Sequence, residues 1–416
     1  MSKAAYTHDV IVAGAGIVGI STALHLQQRG RRAALIDRLE PGEATSHGNT
    51  GTIEPSSILP YAFPKFRAFP RILMGKDTAA IISWPDLPWT LPWITRLWLA
   101  ARPARRLESA RAIRGLLDHC VSEHLALVAM ASAQNLVRGD GWLKIWRSQA
   151  GFEGDAMTRR MAKEFGVNFD ILTPQEALEI EPHLKPAYHR VLWWKDSVRV
   201  LNPGQLAKQY AKAFASAGGS VLRGNALTLS QSGSFWRIQT AAGEISAPEA
   251  VVALGPWSMD VLKPLHYHLP LGVKRGYHQH FKARGNAALT RSFVDLEKGY
   301  CLAPMEMGYR LTTGAEFARR DAPPNPRQIG MCLPLARELF ELGDAAHGDA
   351  WMGSRPCMPD SLPVIGPAPG HSGLWFNFGQ GHLGLTLGPV SGKLLAQMMT
   401  GQAPFTDPSP YRATRF

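Results

Sequence analysis

An arginine set among small and apolar residues is the first candidate for chemistry in this chain. Arg355 lies in the stretch GSRPCMPDSLPVIG, residues 353–366, and is followed at once by a proline. Its planar guanidinium can hold a carboxylate through two parallel charge-assisted hydrogen bonds. The alternative is an ion pair with Asp360 that braces the loop. We predict the ligand role, in which Arg355 orients an anionic small molecule.

Three glycines near the start of the chain predict a nucleotide site. Gly14, Gly16 and Gly19 form a G-x-G-x-x-G motif between an apolar run at 10–13, typical of a buried strand, and a stretch with helical spacing. Asp37 closes the next predicted strand. Such glycines permit a tight turn, close approach to a pyrophosphate and close helix–strand packing, while the acid accepts hydrogen bonds from ribose hydroxyls. We predict dinucleotide binding. A glycine turn without a ligand is the alternative, and the motif alone does not separate NAD from FAD.

Two more stretches have the composition of ligand-lining segments. The turn FNFGQGHLG at 376–384 precedes a predicted helix that continues to 399. Such a turn presents the N–H groups and the partial positive charge of a helix N-terminus. The loop EATSHGNTGTIEP at 43–55 is small and polar and cannot build a core, so we expect it to line a ligand.

The composition narrows the class of protein. The 416 residues are 45% hydrophobic and 19% charged, as in soluble globular proteins, and the formal net charge is +12 with a pI near 9.7. The basic residues are scattered and no motif for reading nucleic acid accompanies them, so we predict no nucleic-acid partner. The four cysteines form no Cys-x-x-Cys pair, which favours free thiols in a reducing compartment. No signal peptide is evident at the start, and we expect a cytoplasmic location.

One segment indicates a different surface. WPDLPWTLPWITRLWLAARPARR, residues 84–106, interleaves tryptophans with leucines and then adds arginines. This composition is typical of a segment at a membrane interface, which would dock the protein peripherally on the inner face of the cell membrane. A helix packed on its own domain is the alternative, and helical spacing from Trp89 places Trp93 and Leu97 on one side.

Taken in order along the chain, these motifs resemble those of the FAD-dependent amino-acid oxidoreductases. That group includes D-amino-acid oxidase, glycine oxidase, sarcosine oxidase and bacterial D-amino-acid dehydrogenase. The likeness covers most of the chain: the glycine motif with its acid, the T-S-x-x-N-x-G loop, the strand end VVALGPWS, the G-x-R-P-x-x-x-D-x-x-P-x-I-G stretch and the turn GQGHLG. It is nearest to the D-amino-acid dehydrogenase branch, including enzymes for D-proline and hydroxyproline-like substrates.

The resemblance implies an α/β fold in which a Rossmann-like FAD-binding domain is interrupted by an α+β substrate domain with a mixed, antiparallel-rich sheet. We expect the FAD-binding domain to comprise residues 1–58, 200–262 and 348–416. The substrate-binding domain is expected at 59–199 and 263–347.

The resemblance also assigns residues to the site. It implies that FAD contacts the motif residues Gly14, Gly16, Ile17, Val18, Asp37, Arg38, Thr45, Ser46, Asn49, Thr50, Gly51, Gly255, Trp257, Gly379, Gly381, His382, Leu383 and Gly384. It implies that Arg355 binds the substrate carboxylate and that Tyr300 lies near it in a catalytic role, with packing as an equal alternative. Tyr277, His278 and His382 are expected to line the substrate pocket. A core or surface role for Tyr277 and His278 is the alternative.

Two side chains near these motifs are open to more than one interpretation. His47 could lie near the flavin, although a hydrogen bond with the backbone is the preferred interpretation. Cys357 could tether flavin covalently, as a cysteine does in some sarcosine oxidases, but the local pattern follows the dehydrogenases and favours non-covalent FAD.

The reaction implied is hydride transfer from a small amino or imino acid to FAD, giving an imino acid that water converts to an oxo acid. No strong base is evident in the sequence, and none is required if the amine binds neutral. Electrons would pass to a quinone of the respiratory chain at the membrane, or to oxygen as in sarcosine or glycine oxidase.

Two further interpretations of the chain stay open on the sequence. An NAD-dependent dehydrogenase would account for the N-terminal motif but would leave residues 353–366 and 379–384 without a task. A non-catalytic FAD-binding subunit would account for both glycine-rich turns, although Arg355 argues against it. A homo-oligomer or a subunit partner is also open, and no metal site is predicted.

Overall fold

The sheet that carries the N-terminal glycine motif forms one half of the molecule. In this computed structural model, which describes residues 8–60, 63–64 and 68–416, the sheet has eight strands. They are β1 (Val10–Ala13), β2 (Ala33–Asp37), β10 (Ser220–Ser232), β11 (Phe235–Thr240), β12 (Gly243–Ala247), β13 (Glu249–Val252), β21 (Val364–Pro367) and β22 (Leu374–Phe378). Their spatial order is β12-β11-β10-β2-β1-β13-β22-β21.

The centre of this sheet is parallel and covered on both faces. Every residue of β1 is fully buried, as the apolar run predicts for a strand between two layers. One face packs against the helices α1 (Ile17–Gln27), α8 (Pro203–Ser216) and α11 (Gly384–Met399). The other face is covered by the β10–β12 hairpins and the short helix α9 (Ser258–Leu262).

A larger mixed sheet forms the other half. Its strands are β4 (Ala80–Ile82), β6 (Trp142–Trp146), β7 (Phe169–Leu172), β8 (Arg190–Trp194), β14 (Gly272–Ala283), β15 (Ser292–Asp295), β16 (Tyr300–Met305), β17 (Gly308–Thr312), β18 (Ala315–Phe317), β19 (Leu342–Ala345) and β20 (Trp351–Cys357). The main path is β4-β18-β14-β17-β16-β15-β6-β8-β7, and β19 and β20 pair with β14. Most of these pairings are antiparallel, as expected for the substrate domain.

The remaining elements surround and connect the two sheets. A three-stranded sheet joins β3 (Thr52–Ile53), β9 (Val198–Val200) and β5 (Val137–Arg138). The other helices are α2 (Phe69–Leu73), α3 (Leu87–Ala100), α4 (Pro103–Met130), α5 (Gln149–Gly154), α6 (Ala156–Glu164), α7 (Pro174–Ile180) and α10 (Arg327–Arg337). Among the described residues, no helix combines the length and the apolar character needed to cross a bilayer.

The expected domain boundaries differ from the observed packing in two places. The strand β20, which carries Arg355, falls in the expected FAD-binding segment 348–416 but pairs with β14 in the larger sheet. The helix α4 falls in the expected substrate segment 59–199. Its buried residues, among them Leu116 and Leu127, nevertheless join the core formed with α1 and α11. Burial of an apolar face overrides the linear division, because that face needs a partner wherever one is available.

Local signals place several element ends correctly. Asn202 caps α8, its side-chain oxygen accepting the N–H of Gln205 at 3.0 Å, and Pro203 takes the first helical position. Gly30, after α1, has a φ of +77°, as predicted for a left-handed helix end. Helix α4 ends at Met130, and Ser132, two residues later, takes a φ of +50°.

Candidate functional site

In the part of the chain that the structure describes, a large cavity is lined by both halves of the molecule. Its volume is about 610 Å³, within the range typical of small-molecule and cofactor sites. The glycine motif and Asp37 line one end, and Arg355 on β20 lines the other. The two stretches that carry the chemistry in the sequence therefore open into one space.

The glycine turn has no room for side chains at two positions. Gly14 has a φ of +114°, and a Cβ on it would overlap the carbonyl oxygen of Ala253. A Cβ on Gly19 would overlap the carbonyl oxygen of Gly14, so Gly19 is what allows α1 to pack against β1. Gly16 lines the cavity at the start of α1, where the free N–H groups of a helix attract phosphate.

Asp37 and Ser46 organise this turn from outside it. The carboxylate of Asp37 accepts the N–H groups of Ala15 at 2.7 Å and Leu39 at 3.1 Å. A carboxylate has four lone-pair sites, so it keeps capacity for ribose hydroxyls. Ser46 Oγ accepts the N–H of Ile17 at 3.0 Å and so ties the 43–55 loop to the first turn of α1.

Most of the predicted FAD-contacting residues line the cavity, but two do not. Those in its wall are Gly14, Gly16, Ile17, Val18, Asp37, Arg38, Thr45, Ser46, Asn49, Thr50, Gly255, Trp257, Gly381, His382, Leu383 and Gly384. Gly51 lies outside the lining and makes a turn with a φ of +73°, its N–H donating to Asn49 Oδ1 at 2.8 Å. Gly379 is also outside it and packs on Met358. These two glycines shape the backbone of the site and do not form its wall.

The far end of the nucleotide half has an aromatic and cationic wall. The Trp257 ring lies between the guanidinium groups of Arg38, at 4.9 Å, and Arg320, at 5.6 Å. Asn225, Ala226 and Leu227 complete this end. These three residues lie within the long strand β10, and no sequence motif there marks them as part of a site.

At the opposite end, the guanidinium of Arg355 lies across Gly276. Its Nη1 donates to the carbonyl of Gly314 at 2.9 Å and its Nη2 to the carbonyl of Thr313 at 3.1 Å. The Arg355–Asp360 pair considered for the loop is wrong, because Asp360 pairs with Arg415 at 2.7 Å. The guanidinium is therefore held by backbone carbonyls while it lines the cavity.

Tyr277 and Tyr300 both line the cavity, and their hydroxyl groups are hydrogen-bonded to neighbouring groups of the protein. The Tyr300 hydroxyl donates to the Leu335 carbonyl at 3.1 Å and lies 3.4 Å from Arg147 Nη2. The Tyr277 hydroxyl donates to Glu316 at 2.6 Å. Burial raises the pKa of both phenols, that of Tyr277 to about 12. Tyr300 lines the cavity while its hydroxyl donates to the Leu335 carbonyl, so its catalytic role stays a prediction beside the packing alternative.

The predicted histidines stay neutral. The His278 ring is buried and stacks on Trp351 at 4.9 Å; burial and the charge of Arg310 lower its pKa to about 2. His382 lines the cavity, and burial with the charges of Lys274, Arg355 and Lys144 lowers its pKa to about 3. Neutral imidazoles here can donate or accept a hydrogen bond but do not add positive charge to the site.

His47 and Cys357 also take definite positions. The backbone carbonyl of His47 accepts a hydrogen bond from Arg310 at 3.0 Å, and its ring lies 5.7 Å from that of Trp351. Cys357 is buried and lines the cavity, and burial raises the pKa of its thiol. A thiol kept protonated is a poor nucleophile, in line with the preference for non-covalent FAD.

Two charged residues of the wall, and the lysine paired with one of them, went unpredicted. Lys274 is the cross-strand partner of Arg355, so both lie on the cavity side of the larger sheet. Glu54 lines the cavity just after β3, and Lys144 on β6 lies 3.5 Å from its carboxylate. Every second residue of a strand lies on the same face, so Lys274 could have been predicted once Gly276 and His278 on β14 were assigned to the cavity. Glu54 and Lys144 are too far apart in sequence to suggest each other.

Comparisons with known proteins agree with this geometry. Residues 9–398 match the protein family described as FAD dependent oxidoreductase. The chain belongs to this family. It is 30% identical over 420 residues to a D-amino-acid oxidase of Bradyrhizobium diazoefficiens, with 98% of each chain covered. It is 28% identical over 412 residues to a D-amino acid dehydrogenase of Azorhizobium caulinodans, covering 95% of this chain and 96% of that one.

Solved structures of the same fold are similar over the full length of the chain. The glycine oxidase from Geobacillus kaustophilus has a TM-score of 0.79 at 20% identity, covering 98% of this chain and 99% of that chain. The L-proline dehydrogenase from P. horikoshii has a TM-score of 0.72 at 15% identity, covering 99% and 98%. These likenesses confirm the fold class predicted from the sequence.

Membership of the FAD-dependent oxidoreductase family settles the cofactor and the reaction class. The protein is an FAD-dependent oxidoreductase, so the interpretations as an NAD-dependent dehydrogenase and as a non-catalytic subunit are wrong. The glycine turn, Asp37 and Ser46 fit the nucleotide part of FAD, and the cavity wall extends from there to Arg355. When bound, FAD supplies the acceptor for a hydride.

Proposed function

We propose that the protein oxidises a small amino or imino acid, of the D-amino acid or D-proline and hydroxyproline type, at the carbon that bears the amine. The observation that carries this is the guanidinium of Arg355 in the cavity wall, with Lys274 beside it on the neighbouring strand. Two adjacent cations favour an anionic substrate group such as a carboxylate. The relatives named D-amino-acid oxidase and D-amino acid dehydrogenase support the same substrate class.

In this proposal each residue of the wall has a task in positioning. Arg355 binds the substrate carboxylate bidentately and so fixes the direction in which the α-hydrogen points. The apolar residues of α3 that line the cavity, Ile94 and Leu97, exclude water from the reacting carbon. Tyr277 and Tyr300 support the strands that carry this arrangement.

The electron acceptor is proposed to be a quinone reached at a membrane surface. On α3 and the turn before it, Trp84, Trp89 and Trp98 are each more than half exposed, while Trp93 is buried against the larger sheet. Helix α3 therefore contributes Ile94 and Leu97 to the cavity wall while it exposes Trp89, Trp98 and Arg96 to solvent, and Arg102 is exposed just after it. Oxygen is the alternative acceptor, and one relative is named an oxidase.

The test is an anaerobic screen of the purified holoprotein. D- and L-amino acids, D-proline, D-hydroxyproline, glycine and sarcosine are added in turn while the flavin absorbance is followed. Bleaching by carboxylated amines supports the proposal. Failure of every amino and imino acid to reduce the bound FAD contradicts it. Reoxidation with quinone against oxygen then identifies the acceptor.

Replacing Arg355 with alanine gives the matching prediction. We expect kcat/KM to fall by about 30- to 5000-fold, since truncating one partner of a buried charge pair costs roughly 2–5 kcal/mol. The FAD content should stay at the level of the natural protein, because the nucleotide half lies at the other end of the cavity. Arg355→Lys is the control, which keeps the charge and loses the bidentate geometry. Unchanged kinetics in Arg355→Ala would remove this residue from the proposal.

A further inference from the structure

A buried acid in the cavity wall, apart from the arginine that binds the carboxylate, is paired with a buried base. Glu54 is 8% exposed and Lys144 is 9% exposed, and Lys144 Nζ lies 3.5 Å from Glu54 Oε1. The ammonium of Lys144 lies 5.2 Å and 5.1 Å from the ring centroids of Trp142 and Trp194. Glu54 itself borders the cavity. Burying a charge costs free energy, and even a buried ion pair is often no more stable than apolar residues of similar volume. This pair at the cavity is therefore a candidate for a chemical role.

The backbone of Glu54 is fixed relative to the active site. Its N–H donates to Thr386 Oγ1 on α11 at 3.0 Å, and Thr386 Oγ1 donates in turn to the Thr52 carbonyl at 3.3 Å. Ser56 Oγ lies 3.5 Å from the carboxylate. The backbone of Glu54 is therefore anchored to α11, and Ser56 and Lys144 contact its carboxylate.

The acid and the carboxylate-binding arginine belong to one enclosure. Glu54, Arg355 and His382 all line the same cavity. Lys144 in turn holds Glu54. A substrate whose carboxylate is bound by Arg355 is therefore enclosed by the same walls that present Glu54.

If the substrate enters the cavity as its ammonium form, its oxidation needs a proton acceptor there. The nitrogen of an ammonium has no lone pair to form the new C=N bond. We propose that Glu54 accepts the proton of the substrate ammonium before hydride transfer, with Lys144 as its positioning residue. This inference rests on the proposed function, which puts an amine in the cavity.

The step balances. An N–H bond of the ammonium breaks and an O–H bond forms on Glu54, leaving a neutral amine. The α C–H bond then breaks with its electron pair passing to FAD, which is reduced, while the nitrogen lone pair forms the C=N bond of the oxidised product. The proton on Glu54 returns to solvent when the product leaves.

The surroundings of Glu54 tune it for this task. Burial raises the pKa of its carboxyl, and the charge of Lys144 opposes that rise. The other titratable groups facing this region are His382, held neutral, and the thiols of Cys120 and Cys301, whose pKa values are raised by burial and by the charge of Glu54. A raised pKa of the Glu54 carboxyl lies closer to the pKa of the substrate ammonium, which makes proton transfer between them less unfavourable. Because the base works deprotonated, the rate should rise with pH through the pKa of Glu54.

The experiment uses anaerobic stopped-flow reduction of the flavin across pH, with the best substrate from the screen. Glu54→Gln should slow reduction about 10²- to 10⁴-fold near neutral pH, the usual range for losing a general base. The rate should recover at alkaline pH, where the substrate amine loses its proton to solvent. Arg355→Ala should show no such recovery. Binding of benzoate, a carboxylate without an amine, is read from the flavin spectrum and should persist in Glu54→Gln and weaken in Arg355→Ala.

Each other outcome overturns the inference. If Glu54→Gln keeps the pH profile of the natural protein, whatever its absolute rate of flavin reduction, Glu54 does not take the proton. If the lone charge of Lys144 prevents that variant from folding, Glu54→Gln/Lys144→Met leaves the site neutral and should show the same alkaline recovery. Glu54 is also excluded if, in the natural protein, the rate of flavin reduction does not fall as the pH is lowered below the pKa of the free amine. If no amine reduces the natural protein, the proposed function fails instead.

Discussion

At the scale of single residues, Gly276 decides where the guanidinium of Arg355 can lie. A Cβ at Gly276 would approach Arg355 Cζ to 2.6 Å and Nη1 to 2.7 Å, so the guanidinium would have to move. We expect Gly276→Ala to lower kcat/KM by about 100-fold, the cost of a displacement near 1 Å in a catalytic arrangement. The effect should appear mainly in KM, measured with the substrate from the screen.

The matched control for that change is Gly330→Ala. Gly330 is exposed in α10, and a Cβ there would meet nothing within 4 Å. It should leave the kinetics unchanged and stabilise the fold by about 0.5–1 kcal/mol, the usual gain from glycine to alanine in a helix. Natural kinetics in Gly276→Ala would mean that Arg355 is free to relocate and that its position is not critical.

What the sequence could predict at this scale depended on spacing. The glycines and Asp37 were identified because their chemistry needs a fixed spacing along one strand–turn–helix unit. The direction of the Tyr277 and Tyr300 hydroxyls could not be predicted, since it depends on their partners Glu316 and Leu335. Glu54 was missed for a similar reason, because Lys144 reaches it from a different sheet.

At the scale of secondary-structure elements, the register of β14 and β18 sets the stability of the sheet below the cavity. Arg275 and Glu316 are cross-strand partners, and their side chains form a buried ion pair at 2.7 Å that the Tyr277 hydroxyl joins. We expect Glu316→Gln to destabilise the protein by about 3–5 kcal/mol, because it leaves Arg275 buried without a counter-charge. Thermal unfolding of the holoprotein measures this.

An exposed pair elsewhere provides the comparison. Arg237 and Glu244 lie 3.6 Å apart on β11 and β12, each close to half exposed. Glu244→Gln should therefore change stability by about 0–1 kcal/mol. Equal effects in the two variants would show that burial does not distinguish the pairs.

Strand and helix positions were predicted better than their partners. The runs at 10–13 and 33–36 are continuous apolar stretches that can be recognised from their own residues, and both are strands. The pairing of β20 with β14 joins residues that are distant in sequence, so no local pattern indicates it. For the same reason the packing of α4 against α1 and α11 could not be predicted from the sequence.

At the scale of the whole molecule, the exposed apolar side chains of α3 and the net charge of +12 act together. Trp89, Leu91 and Trp98 are 62%, 50% and 51% exposed on this one helix. We expect the protein to sediment with phosphatidylglycerol vesicles more strongly than with phosphatidylcholine vesicles, and less strongly as salt screens the charge. Replacing all three residues with serine should weaken binding by at least about 100-fold, since each buried apolar side chain contributes roughly 1.5–3 kcal/mol.

The control replaces Leu125 and Ile171 with serine, because these residues are 46% and 42% exposed and lie outside α3. It should bind vesicles as the natural protein does, while both sets of variants keep flavin reduction by substrate. If the natural protein never sediments with anionic vesicles, the exposed tryptophans are not a membrane contact and delivery to a membrane quinone loses its structural support. Oxygen would then be the acceptor to test first, because α3 could still serve the cavity through Ile94 and Leu97 without touching a membrane.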